Sequence, residues 1–508
     1  MAQQLQNVTI SAPAFSGINT QDSPIDLDPS FAKVADNCVI DSFGRIGARN
    51  GYALLTTDDT DLGGSSGTES IFEYIDQSGD ITVLSAGNNK LFSGTTTLTE
   101  LSSGTTITAN NWKFANLNNH CYLFQKGHES LIFTDSGGSA TLTKFSSFGS
   151  ASGTAPQANE VISAFGRLWA ADVTGNQHTV YFSHLQIGYQ WTGGSSGSLD
   201  ITSVLPAGED PIVALAAHNG KLIIFCRNTI LIYAGATTPS SMTLEDTIVG
   251  VGCIARDSVV SIGTDLLFLS DSGLRSLGRT IQEKSAAIGD LSQNVRNDLI
   301  GDIATETGNI KAVYSPENSF YLLTLPSNEK VYVFDISKVL PTGAFRVTTW
   351  SSINPLCFVR ERDGDLIFGR AGGIAKYSTF KDNNAAFTLQ YFSNPLAFQQ
   401  PANVKFLKKF NLTIIGGAAT AVVFKWGYDY TEAYETQNFT IGSSAAAEYG
   451  VSEYGGTAEY TASLLVNTPK INATGGGEVV TVGLEANIAG APFSIQRIDI
   501  LVLLGRIL

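Results

Sequence analysis

Between about residues 70 and 380, short apolar runs alternate with polar turns, and one figure keeps returning. A turn bearing Asn, Asp or Gly is followed by an apolar strand that carries a leucine beside aromatic or branched residues. It occurs as Asn88-Asn89-Lys90-Leu91-Phe92, Asn118-Asn119-His120-Cys121-Tyr122-Leu123-Phe124, Phe165-Gly166-Arg167-Leu168-Trp169 and Asn219-Gly220-Lys221-Leu222-Ile223. It returns as Gly263-Thr264-Asp265-Leu266-Leu267-Phe268, Asn318-Ser319-Phe320-Tyr321-Leu322 and Asp363-Gly364-Asp365-Leu366-Ile367-Phe368. The leucines at 91, 123, 168, 222, 267, 322 and 366 lie 32 to 55 residues apart. A repeat of roughly 40–50 residues that holds several strands predicts the blades of a β-propeller. Several repeats run on into a second hairpin, as where Leu222–Phe225 turns at Arg227-Asn228 into Ile230–Tyr233. Tight turns between alternating runs are hairpin chemistry. The pattern predicts six or seven blades.

The flanks read differently. Residues 1–66 carry Pro13, Pro24 and Pro29 and end in Gly63-Gly64-Ser65-Ser66-Gly67, which predicts an arm with a few platform strands. Residues 67–383 form the propeller. From 384 to 508 the runs lengthen, with strands expected at Phe406–Ile415, Ala421–Tyr428, Val479–Ile488 and Ile495–Leu504. This predicts a C-terminal β-sandwich or platform domain. It carries a Glu/Tyr/Gly-rich loop over 445–462, whose Tyr449, Tyr454 and Tyr460 are candidates for an interface or for internal packing. One segment breaks the β pattern. Ile288, Leu291, Val295 and Leu299 fall at helical spacing, and Asp290 with Gln293 resembles a capping box. A short helix near 290–302 is expected there. The fold class is all-β.

Composition fits that reading. Charged residues make up 15% of the 508, well below the usual quarter, and there are 51 glycines. The net charge of −15, with 31 Lys and Arg and no basic run denser than Lys405-Phe406-Leu407-Lys408-Lys409, argues against tight binding of nucleic-acid phosphates. An acidic wall would instead let DNA slide past. No basic-then-apolar leader opens the chain, and no run approaches the ~18 apolar residues of a membrane helix. Cys38, Cys121, Cys226, Cys253 and Cys357 are odd in number, widely spaced and without a CxxC, which predicts reduced, mostly buried thiols in a cytoplasmic setting.

Candidate chemistry is sparse. His120, His128, His178, His184 and His218 make no HxH, HExxH or HxxxH pattern, and His120-Cys121 would point to opposite faces of a strand. No GxSxG, Walker A or dinucleotide fingerprint occurs, so no cofactor, metal or catalytic residue is expected. Thr134-Asp135-Ser136-Gly137 and Ser270-Asp271-Ser272-Gly273 approach the Asp-box of sialidase-type propellers but lack one residue before the Asp. The enzyme alternative is a carbohydrate-cleaving or carbohydrate-binding propeller with paired carboxylates on facing loops.

Specific strings then carry a resemblance. Gly17-Ile18-Asn19-Thr20-Gln21-Asp22-Ser23-Pro24-Ile25-Asp26-Leu27, Ala35-Asp36-Asn37-Cys38, Gly44-Arg45-Ile46 and Arg49-Asn50-Gly51 resemble the opening of tail nozzle proteins of short-tailed bacteriophages, also called tail tubular protein B, hub or stabilisation proteins. Val180-Tyr181-Phe182-Ser183 with Trp191, Gly250-Val251-Gly252-Cys253, Leu267 to Leu277, Tyr332-Val333-Phe334-Asp335, and Gly483-Leu484-Glu485 to Leu504-Gly505-Arg506 are similar as well. The resemblance implies a virion tail protein assembled in the host cytoplasm. It implies a ring, a homo-hexamer, below the portal and adaptor, which retains genomic DNA and then lets it pass, with fibres or spikes attached around it. Asp22, Arg45 and Arg49 lie in the best-matched stretch and are candidates for docking the arm at a subunit or adaptor contact. The uncharged loop at Gly193, Gly194, Ser195 and Ser196 is a candidate for narrowing the channel.

Overall fold

The computed structural model describes residues 5–12, 15–63, 66–102, 105–136, 139–205, 208–283, 290–431, 433–442 and 466–507. Among these, the chain forms a β-propeller with a β-sandwich platform beside it.

Six blades have four antiparallel strands and a smaller one has three. Their first strands are Ser70–Ile75, Lys113–Leu117, Ala158–Ala164, Ile212–His218, Val260–Ser261, Lys311–Ser315 and Cys357–Arg360, in chain order around the ring. The blade beginning at Val260 is the three-stranded one. The ring is closed by the arm. Tyr52–Leu54 pairs with Gly373–Tyr377 and supplies the fourth strand of the last blade, with Tyr52 opposite Tyr377 and Leu54 opposite Ala375.

The repeated figure has a plain mechanical reading. Asn88-Asn89, Asn118-Asn119, Phe165-Gly166 and Asn219-Gly220 each place two successive residues at positive φ. That is the geometry of a two-residue type I′ turn, whose twist matches the strands it joins. The leucine that follows then points between blades: Leu91, Leu123, Leu168, Leu222, Leu267, Leu322 and Leu366 are all buried.

The platform consists of two packed sheets. One is built on Asn403–Gly416 against Phe493–Ile507, joined by Leu5–Ser11, Ile46–Ala48 and Cys38–Ile40. The other continues directly from a propeller blade. Phe345–Trp350 meets Phe31–Asp36 at the Thr349–Asp36 pair, and the sheet runs on through Phe387–Ser393, Val480–Ile488, Ala421–Tyr428 and Glu435–Thr440. Phe410, Leu412, Ile498 and Ile500 of the first sheet share one core with Phe424, Trp426, Val482 and Leu484 of the second. Phe410 and Phe424 meet edge-on, with ring centroids 4.8 Å apart.

The helix is shorter and later than its spacing implies. It spans Arg296–Thr305, after a 3-10 turn at Gln293–Val295. Asp290 does not cap it. Its carboxylate accepts hydrogen bonds from the Ser292 amide and hydroxyl, and its backbone bridges to Arg275. The Leu291 amide is likewise spent on the Leu274 carbonyl. Sheet bonding has claimed the first turn. Leu291, Val295 and Leu299 are nonetheless buried as expected, and Ile288 lies outside the described residues. The arm reaches the helix start: Gln21 Oε1 accepts from the Asn297 amide at 3.4 Å, and Thr20 Oγ1 donates to Asp298 at 2.6 Å.

Candidate functional site at the propeller axis and the platform joint

Two buried charge clusters stand out. The first fills the propeller axis. The segment leading into the three-stranded blade runs close against its neighbour at Gly252, where a Cβ would come within 2.3 Å of the Arg227 carbonyl oxygen. Only glycine fits there. The segment then delivers Arg256 and Asp257 to the axis. Arg256 Nη1 donates to the carbonyl of Asn159 at 2.6 Å, and Nη2 donates to Asn111 Oδ1 and to Asp257, both at 2.8 Å. Lys113 Nζ lies 2.8 Å from Asp257 and 3.4 Å from Glu160. Lys311 Nζ donates to Asn111 Oδ1 at 2.7 Å and lies 3.6 Å from Asp257. Four blades thus meet through side chains from the first strands or the segments before them. The Ala312 amide donates to the Asp257 carbonyl and fixes the plug to the blade of Lys311.

Burial and charge pull these groups apart. Burial alone would raise the Asp257 carboxyl, but Arg256, Lys113 and Lys311 outweigh it and hold Asp257 well below the usual range. Burial raises Glu160 to about 7, with Lys113 and Arg256 only partly opposing. Burial also lowers Lys311, against the pull of Asp257. One oxygen of Glu160 has no hydrogen-bond partner, although Lys113 and Arg256 stand near it. Asp257 lines two cavities. One, of about 380 Å3, is bordered by Asn111, Lys126, Asn159 and Asp172. The other, of about 260 Å3, holds Lys113, Lys311, Ser70 and Cys357 among apolar walls.

The second cluster joins propeller to platform. Arg49 is fully buried and grips Asp382 with two parallel bonds of 2.8 and 2.7 Å. Its Nε donates to Asn37 Oδ1 at 2.8 Å, its Nη1 also donates to the Asn50 carbonyl, and its guanidinium stacks 4.1 Å from the Phe387 ring centroid. Asn37, at φ 54°, donates in turn to the Thr388 carbonyl. Trp350 Nε1 and Thr348 Oγ1 both donate to the Cys38 carbonyl. At Gly51 the backbone passes so near Lys381 that a Cβ would sit 2.0 Å from its carbonyl oxygen.

The remaining candidates lie as follows. Arg49, a candidate for docking the arm, is internal: its side chain has no exposed surface and its donors are all directed at acceptors within the chain. Arg45 pairs with Asp41 at 2.6 Å and stacks on Phe43, whose ring is 68% exposed at the tip of that hairpin. Asp22 is exposed and accepts from Asn19 Nδ2. Gly193, Gly194, Ser195 and Ser196 form a compact exposed turn. Ser195 accepts from the buried Arg167 through both its carbonyl, at 2.9 Å, and its hydroxyl, at 3.0 Å. The turn is pinned to the blade by these two bonds. Tyr449, Tyr454 and Tyr460 fall outside the described residues. All five cysteines are buried and unpaired. The sequence reading missed Lys113, Glu160, Arg256, Asp257 and Lys311. Their signal was a charge at or just before an apolar strand, in a chain with few charges.

No protein-family model matches the chain, and no curated protein matches it. Among solved structures it is similar to the extracellular domain of the putative one-component system BT4673 from B. thetaiotaomicron, at 13% identity and a TM-score of 0.40 over 66% of this chain and 40% of that one. It is similar to a Lactobacillus plantarum protein, at 12% identity and a TM-score of 0.34, over 64% of this chain and 92% of the other. It is also similar to YCF48 bound to D1 peptide, at 10% identity and a TM-score of 0.37, over 63% and 94%. This chain therefore spans 40% of the BT4673 domain. Likeness at this level transfers no activity, ligand or partner.

Proposed function

We propose that the chain is a structural subunit of a ring-shaped tail nozzle of a short-tailed bacteriophage, a homo-hexamer that docks on the tail adaptor, retains DNA and lets it out, and serves as a base for fibres or spikes. The reading rests on the resemblance of its sequence strings. The observation that supports it best is where those strings lie. Asp36-Asn37-Cys38 and Arg49-Asn50-Gly51 make the joint between propeller and platform, and Asn19-Thr20-Gln21 ties the arm to the helix. A wall subunit under the pressure of packed DNA needs its two bodies fixed to each other, and a bidentate buried arginine supplies that fixity. Because each propeller axis is plugged by its own side chains, DNA in this arrangement passes through the centre of the ring, past a chain of net charge −15.

Native mass spectrometry and negative-stain imaging test the reading, with and without the adaptor. An annular hexamer with a central opening is expected. A monomer with or without the adaptor, or a compact glycan-binding trimer, would overturn it.

A further inference from the structure

The axial plug does not balance its own charge. Lys113, Arg256 and Lys311 face Asp257 and Glu160, three cations against two carboxylates. The neighbouring Lys126 and Asp172 pair with each other and cancel. Glu69 accepts from Asn110 Nδ2 and forms no ion pair with these cations. Side-chain exposure is 1% for Glu160, 6% for Arg256 and 9% for Lys311, rising to 17% for Asp257 and 25% for Lys113 where the cavity opens. A buried surplus charge is costly unless something compensates it. Arg256 has no donor to spare, since its Nε and both Nη groups are taken up by Asn159, Asn111 and Asp257. Lys311, with three N–H groups, makes one hydrogen bond, to Asn111. Lys113 and Lys311 both border the 260 Å3 cavity together with the Asp257 carboxylate that contacts them, and its other walls include Phe72, Phe114 and Val259. Apolar walls strengthen attraction to a charge placed between them.

We infer that this cavity binds one small oxyanion, of phosphate or carboxylate type, held between the ammonium groups of Lys113 and Lys311. The anion neutralises the plug and locks the blades that begin at Ser70, Lys113 and Lys311 around the axis. Asp257 and Glu160 oppose it, because the Asp257 carboxylate contacts both lysines and the Glu160 carboxylate competes for Lys113. The site is independent of whether the chain forms a ring.

Isothermal titration of the full chain at constant ionic strength tests the assignment, with inorganic phosphate and acetate in separate arms. Saturable uptake of one anion per chain is expected from at least one of them, and the tighter arm identifies the headgroup. Lys311→Met should weaken uptake at least tenfold, with circular dichroism confirming the fold, whereas Lys408→Met on the exposed face of the platform should leave it unchanged. Glu160→Gln keeps both lysines and should tighten binding several-fold, so it decides the matter even if Lys311→Met fails to fold. Unsaturable uptake of both anions by the unaltered chain would overturn the inference. So would undiminished binding by folded Lys311→Met, or no tightening in Glu160→Gln.

Discussion

Arg49 and Arg256 are both buried arginines that grip a carboxylate, and their surroundings differ in charge. At the platform joint one guanidinium meets one carboxylate, in a bidentate pair with each remaining donor directed at oxygen. On the axis, Arg256 shares Asp257 with two lysines, and a second carboxylate sits half-neutralised beside them. The joint is a closed arrangement in which charge and hydrogen bonds are matched one to one. The plug is an open one, whose protonation depends on conditions. Buried ion pairs fix geometry when they are complete and couple stability to solution conditions when they are not.

The contrast is broken most strongly at the joint. Arg49→Met strands the Asp382 carboxylate in the interior, and a loss of about 3–5 kcal/mol in urea unfolding is expected. The double variant Arg49→Met, Asp382→Leu should recover part of it, because no lone charge remains. On the axis, Asp257→Asn removes the one acid that touches all three cations. A loss of about 3 kcal/mol is expected from the same measurement, with more of it returned by high salt than at the joint.

A pH series then separates the two clusters. The folded-state value of Glu160, about 7, lies above the ordinary 4.5, so the folded chain binds that proton more tightly than the unfolded chain. The resulting stabilisation is complete below pH 4.5 and is lost as pH rises through 7. Unfolding free energy measured from pH 5 to 8 should therefore fall by on the order of 1–3 kcal/mol from this group. Glu160→Gln should flatten that slope, and Arg49→Met should leave it in place. Smaller effects sharpen the picture around the arm. Gln21→Ala removes the acceptor at the helix start and should cost about 1 kcal/mol in thermal or urea melts. Arg45→Ala, four residues from Arg49 but on a hairpin tip, should cost only about 0.5 kcal/mol. A large loss there would erase the distinction between the two arginines.

Much of the propeller was legible because its information is local. Asn-Asn and Asn-Gly turns and the leucine after them encode each hairpin within a dozen residues. The platform strands were legible for the same reason: Ala421–Tyr428 matches its expected bounds, and Val480–Ile488 differs by one residue at its start. The helix start was misplaced because helical periodicity cannot show that Asp290 and Leu291 are needed by a sheet. The axial plug was illegible because its members stand at 113, 160, 256, 257 and 311. No spacing rule connects them, and only closure of the ring brings them within 4 Å. Arg49 was picked out for its place in a matched string, yet nothing near it in sequence announced Asp382 as its partner.

The strand Tyr52–Leu54 has a consequence for the order of folding. It must wait for Gly373–Tyr377 before it can pair, and Leu5–Ser11 must wait for Arg497–Leu503. Residues 5–11 and 52–54 are thus committed to partners more than 300 residues further along the chain. During synthesis the early blades can form their hairpins, but the ring cannot close until residue 377 has left the ribosome, nor the sandwich until residue 503 has. Contacts of such long sequence separation slow folding and leave sheet edges open in the meantime.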